Sequence, residues 1–257
     1  MLNRSLIEDV LYAALGTGGD FAEVFVEDRL VNSLGLVGGL VDTAVSGRDY
    51  GVGIRIFRGT NYVYAYTNDD SRESLLRVAK TAAEAIRGIK MDLVLNLSPR
   101  EIQNIHLITK YPGDIRKSDK VDLIKRAYHA AKSYDPIIDQ VSVTYMDEDQ
   151  HVQIANSEGL LVEDRRVRTR TSINAVATKG SEKQSGFYGP GASMGFEFYD
   201  TIDIEAYARE AARTAKTMIN ADLCPSGKMP VIIDNEFGGV IFHEACGHSL
   251  EATSVAK

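Results

Sequence analysis

QVSVTYMDEDQHVQIANSEGLLVEDRRVRTRTSINAVATKG, residues 140–180, decides the architecture. It divides into three strand-like stretches, QVSVTYMDE, HVQIANSEG and LLVEDRRVRTRTSINAVATKG, with KQSGFYG (183–189) following. A helix is expected before them over Lys117–Tyr134, burying Leu123, Ile124, Ala127, Ala130 and Ala131. Another is expected after them over Ile202–Asn220, with Ile204, Tyr207, Ala208, Ala211, Ala215 and Met218 on one face. The same order occurs earlier in the chain. A helix over Leu2–Leu15 leads into FAEVFVEDRL, VGGLVDTAVSG, GVGIRIFRG and NYVYAYTN, and a second helix runs over Ser71–Arg87. Asp70 followed by Glu73 resembles a capping box for that helix, and Leu75, Leu76, Ala79, Ala82, Ala83 and Ile86 form its apolar stripe. No residue-level repeat accompanies the echo.

The expected fold class is therefore α+β: two successive helix–antiparallel sheet–helix units, residues 1–96 and 115–220, joined by an irregular stretch containing Pro99, Pro112 and Gly113. NADLCPSGKMP (220–230) reads as a linker. Beyond it, MPVIID predicts a short apolar strand with Val231–Ile233 buried, and NEFGGVIFHEACGHSLEA predicts a helix. One strand and one helix do not close a domain, so residues 229–257 are expected to begin a third domain completed elsewhere.

Composition narrows the function classes. The chain has 257 residues, 44% of them apolar and 25% charged. No apolar run approaches the roughly 18 residues of a membrane span. Glu8 and Asp9 interrupt what would be the apolar core of a signal peptide. Two cysteines, Cys224 and Cys246, form no framework of pairs, which fits a reducing cytoplasm. A net charge of −7 argues against a broad nucleic-acid-binding face.

The chemistry concentrates in HEACGH, residues 243–248. The zinc-peptidase signature H-E-x-x-H places two histidines four apart on one helix face, with the glutamate beside the bound water. Here the separation is five. On a regular α-helix His243 and His248 would point about 140° apart, and Glu244 and His248 would be the neighbouring pair. Two arrangements follow. In one, Glu244 and His248 form a helix-surface pair and His243 is incidental. In the other, a π-type distortion between His243 and Gly247 brings the histidines together and swings Glu244 into the position of a base. Gly247 lies where such distortion is least hindered, and Gly238 and Gly239 leave room for a substrate backbone. Catalytic zinc usually has three protein ligands. Glu251 could supply a carboxylate or be a solvated side chain. Cys246 faces away from the histidines on a helix, and Cys224 lies in the linker.

The run KMPVIIDNEFGGVIFHEACGHSLEA closely resembles the metal-binding segment of the TldD/PmbA metallopeptidases, also called modulators of DNA gyrase, whose active members carry H-E-x-x-x-H. GVGIRIFRGTNYVYAYTND and NSEGLLVEDRRVRTRTSINAVA are similar to that family as well, and the resemblance extends over essentially all of the chain. It implies a zinc-dependent peptidase with one Zn²⁺ per active site. His243 and His248 match the histidine ligands, and Glu244 matches the catalytic glutamate. The third ligand is implied to be a cysteine beyond residue 257. The resemblance also implies cleavage of unfolded or small peptides, a two-subunit assembly with a PmbA (TldE)-like partner or a second copy, and no direct contact with nucleic acid or membrane. All three motif residues are retained, which points to the TldD-like subunit.

Two other functions compete. A non-catalytic assembly or substrate-presenting fragment is one, because the third ligand is missing from the chain. A two-histidine, one-carboxylate iron site using His243, His248 and Glu251 is the other. Elsewhere, Arg166, Arg168 and Arg170 fall on one strand face, as a rail for peptide carboxylates or as a solvated charge row. SGFYGPGASMGFEF (185–198) is either a mobile loop near a substrate path or an ordered turn. GVGIRIFRG lacks the strand–helix context of dinucleotide binding.

Overall fold

Long strands organise the computed structural model, which describes residues 1–86, 88, 95–235 and 238–256. Residues 1–220 form one compact unit and residues 221–257 a second. The first unit opens with α1 (Arg4–Ala14), β1 (Phe21–Val37), β2 (Leu40–Arg58), β3 (Asn61–Thr67) and α2 (Arg72–Glu84). It continues through β4 (Ser98–Arg100), α3 (Lys117–Lys132), β5 (Ile138–Asn156), β6 (Leu160–Lys179), β7 (Glu182–Tyr188), β8 (Gly191–Ala192) and α4 (Ile204–Ile219). Arg87, at the end of the expected second helix, lies outside the described residues.

The two expected sheets are one. Its strand order is β3-β2-β1-β5-β6-β4, with β7 and β8 also on β6. β1 and β5 pair antiparallel from Glu23↔Asn156 to Val37↔Ser142, which joins the halves. Among the described residues only β4 pairs in parallel, against the start of β6. The strands are also fewer and longer than expected. VGGLVDTAVSG and GVGIRIFRG merge into β2, apart from the turn at Gly38 and Gly39, whose φ values of 58° and 87° suit a two-residue hairpin. QVSVTYMDE and HVQIANSEG merge into β5 across DEDQ (147–150).

Those charges do not break β5 because each inward-facing acid has a partner. Asp147 is buried against Lys120 of α3 at 2.5 Å, and it accepts a hydrogen bond from Asn32 Nδ2 at 2.7 Å. Asp149 is gripped by Arg165 through Nε and Nη2 at 2.9 and 2.7 Å, and that guanidinium lies 3.8 Å over the Tyr111 ring. Residues two apart on a strand share a face. Val141, Val143 and Tyr145, then Asp147 and Asp149, then Gln153 and Ala155 thus form one row, buried except at the half-exposed His151. One end joins a core in which Leu123 and Ile124 of α3 and Ala208 and Ala211 of α4 pack on Leu34, Leu36 and Ile173. The other end joins a core in which Ile7 and Leu11 of α1 and Leu75 and Ala79 of α2 pack on Val24, Val26, Ile54 and Ile56. Two apolar cores at opposite ends of one sheet face are thus separated by a polar waist.

The helices differ from expectation in detail. Asp70 does not cap α2, because its carboxylate accepts the Tyr50 hydroxyl at 2.7 Å; Ser71 is the cap, accepting from Ser74 N–H. Asp203 caps α4 through the N–H groups of Glu205 and Ala206. Met218 is exposed, and Ala212 and Ile219 complete the buried face. The stretch 185–198 supplies the end of β7, all of β8 and the start of a 3₁₀ turn. Burial pushes the Glu197 carboxyl up, but the backbone N–H groups around it, including Gly195 and Lys110, outweigh this and hold it below its ordinary value.

In the second unit, Val231–Ile233 forms no strand and is exposed, with Ile232 fully open to solvent. A strand needs a ladder partner for its backbone groups, and none pairs with this segment among the described residues. No helix among the described residues is long and apolar enough to cross a membrane.

Candidate metal centre

A short α5 (Gly239–Phe242) runs directly into a π-helical turn over His243–Gly247, a 3₁₀ turn over His248–Leu250, and a last helical turn, α6 (Ala252–Val255). The π turn is the distortion that the five-residue spacing requires if the histidines are to meet. Its signature is the hydrogen bond from His248 N–H to the His243 carbonyl, which spans five residues instead of four. One extra residue in the turn stacks position 248 over position 243. The imidazole centroids stand 4.5 Å apart with the rings inclined at 67°. One ligand atom each from His243, Glu244 and His248 falls within 4.8 Å of the others.

Glu244 remains a neighbour of His248 despite the distortion, with Oε2 3.6 Å from Nε2. Glu251 approaches the other ring nitrogen, its Oε1 lying 2.6 Å from His248 Nδ1. Its side chain is about half exposed but held by that contact. The helix breaks at Glu251, where φ −64° and ψ 145° are extended values, and its side chain reaches back. Cys224 and Cys246 are exposed free thiols and are not part of the cluster.

Two glycines act differently from expectation. Gly247 has ordinary helical torsions, φ −59° and ψ −52°, so conformational freedom is not what it supplies. A Cβ at this position would lie 3.2 Å from His243 Nδ1, so the missing methyl makes room for the imidazole. The space beside Gly238 is already taken by the Asp234 carbonyl and the Ile233 side chain, each within 2.2 Å of where a Cβ would be. Gly239 alone borders open space. Glu236 and Phe237 lie outside the described residues.

In the first unit, Arg166, Arg168 and Arg170 do project to one exposed face while Val167, Thr169 and Thr171 are buried. Arg166 is paired with Asp164 at 2.7 Å and Arg168 lies 3.9 Å from Glu148. A groove of about 470 Å³ beside Arg168 and Arg170 is lined also by Met146, Gly189 and Ser193.

Comparison with known proteins matches residues 22–86 to the PmbA/TldA metallopeptidase domain 1 and residues 110–219 to the PmbA/TldA metallopeptidase central domain. A metalloprotease of Methanothermobacter thermautotrophicus is 30% identical over 93% of the chain and 52% of its own length. A metalloprotease TldD homolog of Haemophilus influenzae is 29% identical over 90% of the chain and 50% of its own length. Among solved structures, a candidate modulator of DNA gyrase from Thermotoga maritima superimposes with a TM-score of 0.68 at 20% identity, covering 88% of the chain and 50% of its own. TldE from Thermococcus kodakarensis gives 0.60 at 16% identity, covering 82% and 47%. These likenesses share the α+β fold, and the chain spans about half the length of the curated relatives it matches.

Proposed function

The chain belongs to the TldD/PmbA metallopeptidase family, and on that premise we propose that it contributes two metal ligands and the general base of a zinc-dependent peptidase. His243 and His248 are the ligands and Glu244 is the base. The observation that carries this is the π turn, which places the imidazoles of residues five apart at a centroid distance of 4.5 Å with a carboxylate beside them. Two imidazoles suit zinc as nitrogen ligands with a carboxylate beside them as the base, and a regular α-helix would have separated the imidazoles.

Zinc bound there supplies Lewis acidity and a water of lowered pKa. Glu244 takes the proton of the attacking water and returns it to the departing amine, which requires a carboxylate free to move between the two. A cysteine beyond residue 257 completes the ligand set, in keeping with relatives about twice the length of this chain. The substrates are unfolded or small peptides. The partner is a TldE-like subunit or a second copy, a proposal supported by the likeness to TldE. The location is the cytoplasm, and neither nucleic acid nor membrane is a partner, which the charge of −7 supports for nucleic acid.

The exposure of His243, Glu244 and His248, with both cysteines outside the cluster, favours a second reading in which this chain by itself is a non-catalytic, assembly or substrate-presenting piece. Zinc titration against a chromophoric chelator tests both. One-to-one binding is expected, tighter in a longer protein that supplies the third ligand and lost on His243→Ala or His248→Ala. Binding indifferent to both histidine substitutions would reject the ligand assignment. Weak binding by this chain with tight binding by the longer protein would assign the fragment role to this chain and the activity to the whole.

Gly247→Ala separates helix stability from metal affinity. Alanine favours a helix by about 1 kcal/mol over glycine. Its methyl, however, would press on His243 Nδ1 from 3.2 Å. An off-rotamer imidazole costs roughly 0.5–1.5 kcal/mol. The expected result is zinc binding weakened about 2- to 10-fold without loss of helical circular dichroism.

A further inference from the structure

We propose that Glu251 is a positioning residue for His248: its carboxylate accepts the Nδ1–H, fixing the tautomer and ring orientation that leave Nε2 free for the metal. This rests on the ligand role proposed for His248. Three observations carry it.

The first is distance. Glu251 Oε1 and His248 Nδ1 are 2.6 Å apart, a charge-assisted hydrogen-bond length. Two ligands of one tetrahedral zinc, each at roughly 2.0–2.2 Å from the ion, stand about 3.4 Å apart. Glu251 is therefore bonded to the imidazole and is not its co-ligand. The second is local pitch. His248–Leu250 is a 3₁₀ turn, in which residues three apart eclipse, so Glu251 is set directly beside His248. The π turn aligns 243 with 248, and the 3₁₀ turn then aligns 248 with 251. The Glu251 carbonyl also accepts the N–H groups of Ser254 and Val255 at 2.8 and 3.1 Å, which anchors its backbone. The third is direction. The carboxylates of Glu244 and Glu251 address different nitrogens of one ring, Glu244 at Nε2 and Glu251 at Nδ1. The proposed base, Glu244, thus lies on the Nε2 side, the side left free for the metal. Carboxylate–histidine–metal relays of this form orient the ligand and raise its basicity.

The test has a readout that needs neither metal nor activity. Long-range ¹H–¹⁵N spectra of the metal-free 257-residue chain, recorded where His248 is neutral, should show the Nδ1–H tautomer. Glu251→Gln keeps an acceptor and should keep that tautomer. Glu251→Met removes the acceptor and should shift His248 toward Nε2–H. In zinc titrations, Glu251→Met should weaken binding by about 10- to 100-fold and Glu251→Gln by less. An unchanged tautomer in Glu251→Met, with zinc affinity within about twofold of wild type, would overturn the assignment. Equal zinc loss in the Gln and Met variants, with an altered absorption spectrum of the cobalt-substituted protein, would overturn it in favour of direct ligation. If the wild-type chain and the longer protein both fail to bind zinc, the ligand role of His248 fails instead, whatever the tautomer. Zinc binding with an indifferent Glu251→Met variant removes only the role of Glu251.

Discussion

On the proposed peptidase reading, Glu244→Gln should cut the turnover of an unfolded peptide by about 10²- to 10⁴-fold, in a protein that also supplies the third ligand, while leaving zinc affinity within about twofold. Glutamine keeps the size and the hydrogen-bonding reach of the side chain but cannot take a proton. The π turn is what makes the substitution selective. It gives the two imidazoles to one another, with centroids 4.5 Å apart, and leaves Glu244 beside them as an exposed carboxylate. The measurement is paired: steady-state cleavage of a fluorogenic peptide and zinc content of the same sample. Loss of cleavage together with zinc would make Glu244 a ligand. Undiminished cleavage in a zinc-replete sample would remove it from the mechanism.

The parts legible in the sequence were those set by local chemistry. Three of the four long helices follow from named apolar stripes, and the cores hold most of the residues those stripes name, such as Leu75 and Ala79 of α2 and Ala208 and Ala211 of α4, with Met218 the exposed exception. The π turn was one of the two arrangements the spacing left open: histidines five apart cannot meet on a regular α-helix, so it is required only if both hold one ion. What was not legible depends on partners distant in sequence. DEDQ resembles a break between strands, yet it lies within β5 because Lys120 and Arg165 neutralise Asp147 and Asp149 across 27 and 16 residues. The joining of two sheets into one rests on β1 pairing with β5, a contact between residues more than 100 apart that no local pattern encodes. Val231–Ile233 has the composition of a strand, but a strand is a property of a pair. Glu251 was visible as a carboxylate at the right spacing, whereas its attachment to Nδ1 depends on a 3₁₀ turn that no residue type announces.

Lys120→Met should destabilise the first unit by about 3–5 kcal/mol, the expected cost of removing one partner from a buried ion pair. Lys120 and Asp147 have side chains 3% and 0% exposed, so no solvent replaces the lost ammonium. Lys120 Nζ also donates to the Pro112 carbonyl at 2.9 Å and lies 5.4 Å from the centre of the Tyr145 ring. Its loss therefore strips a charge partner, a backbone donor and a cation over an aromatic face at once. Asn32 would remain as the donor to Asp147, through one oxygen only. For a unit of this size the change corresponds to a fall in melting temperature of roughly 6–20 °C. Methionine has a comparable length and an apolar tip, so packing loss contributes little to that figure. The double variant Lys120→Met/Asp147→Leu separates charge from packing. Replacing both charges with apolar groups should recover most of the loss, because the cost lies in an unpaired buried carboxylate and not in the pair itself. A double-mutant cycle should then give a coupling energy above about 2 kcal/mol. A single-variant loss below about 1 kcal/mol would mean that water reaches Asp147, and the waist would then be a solvated gap between two cores. A large loss that the double variant recovers would instead make the pair a device of register. It holds α3 over the stretch of β5 where the apolar row is interrupted, and it lets a charged sequence continue as one strand through both cores.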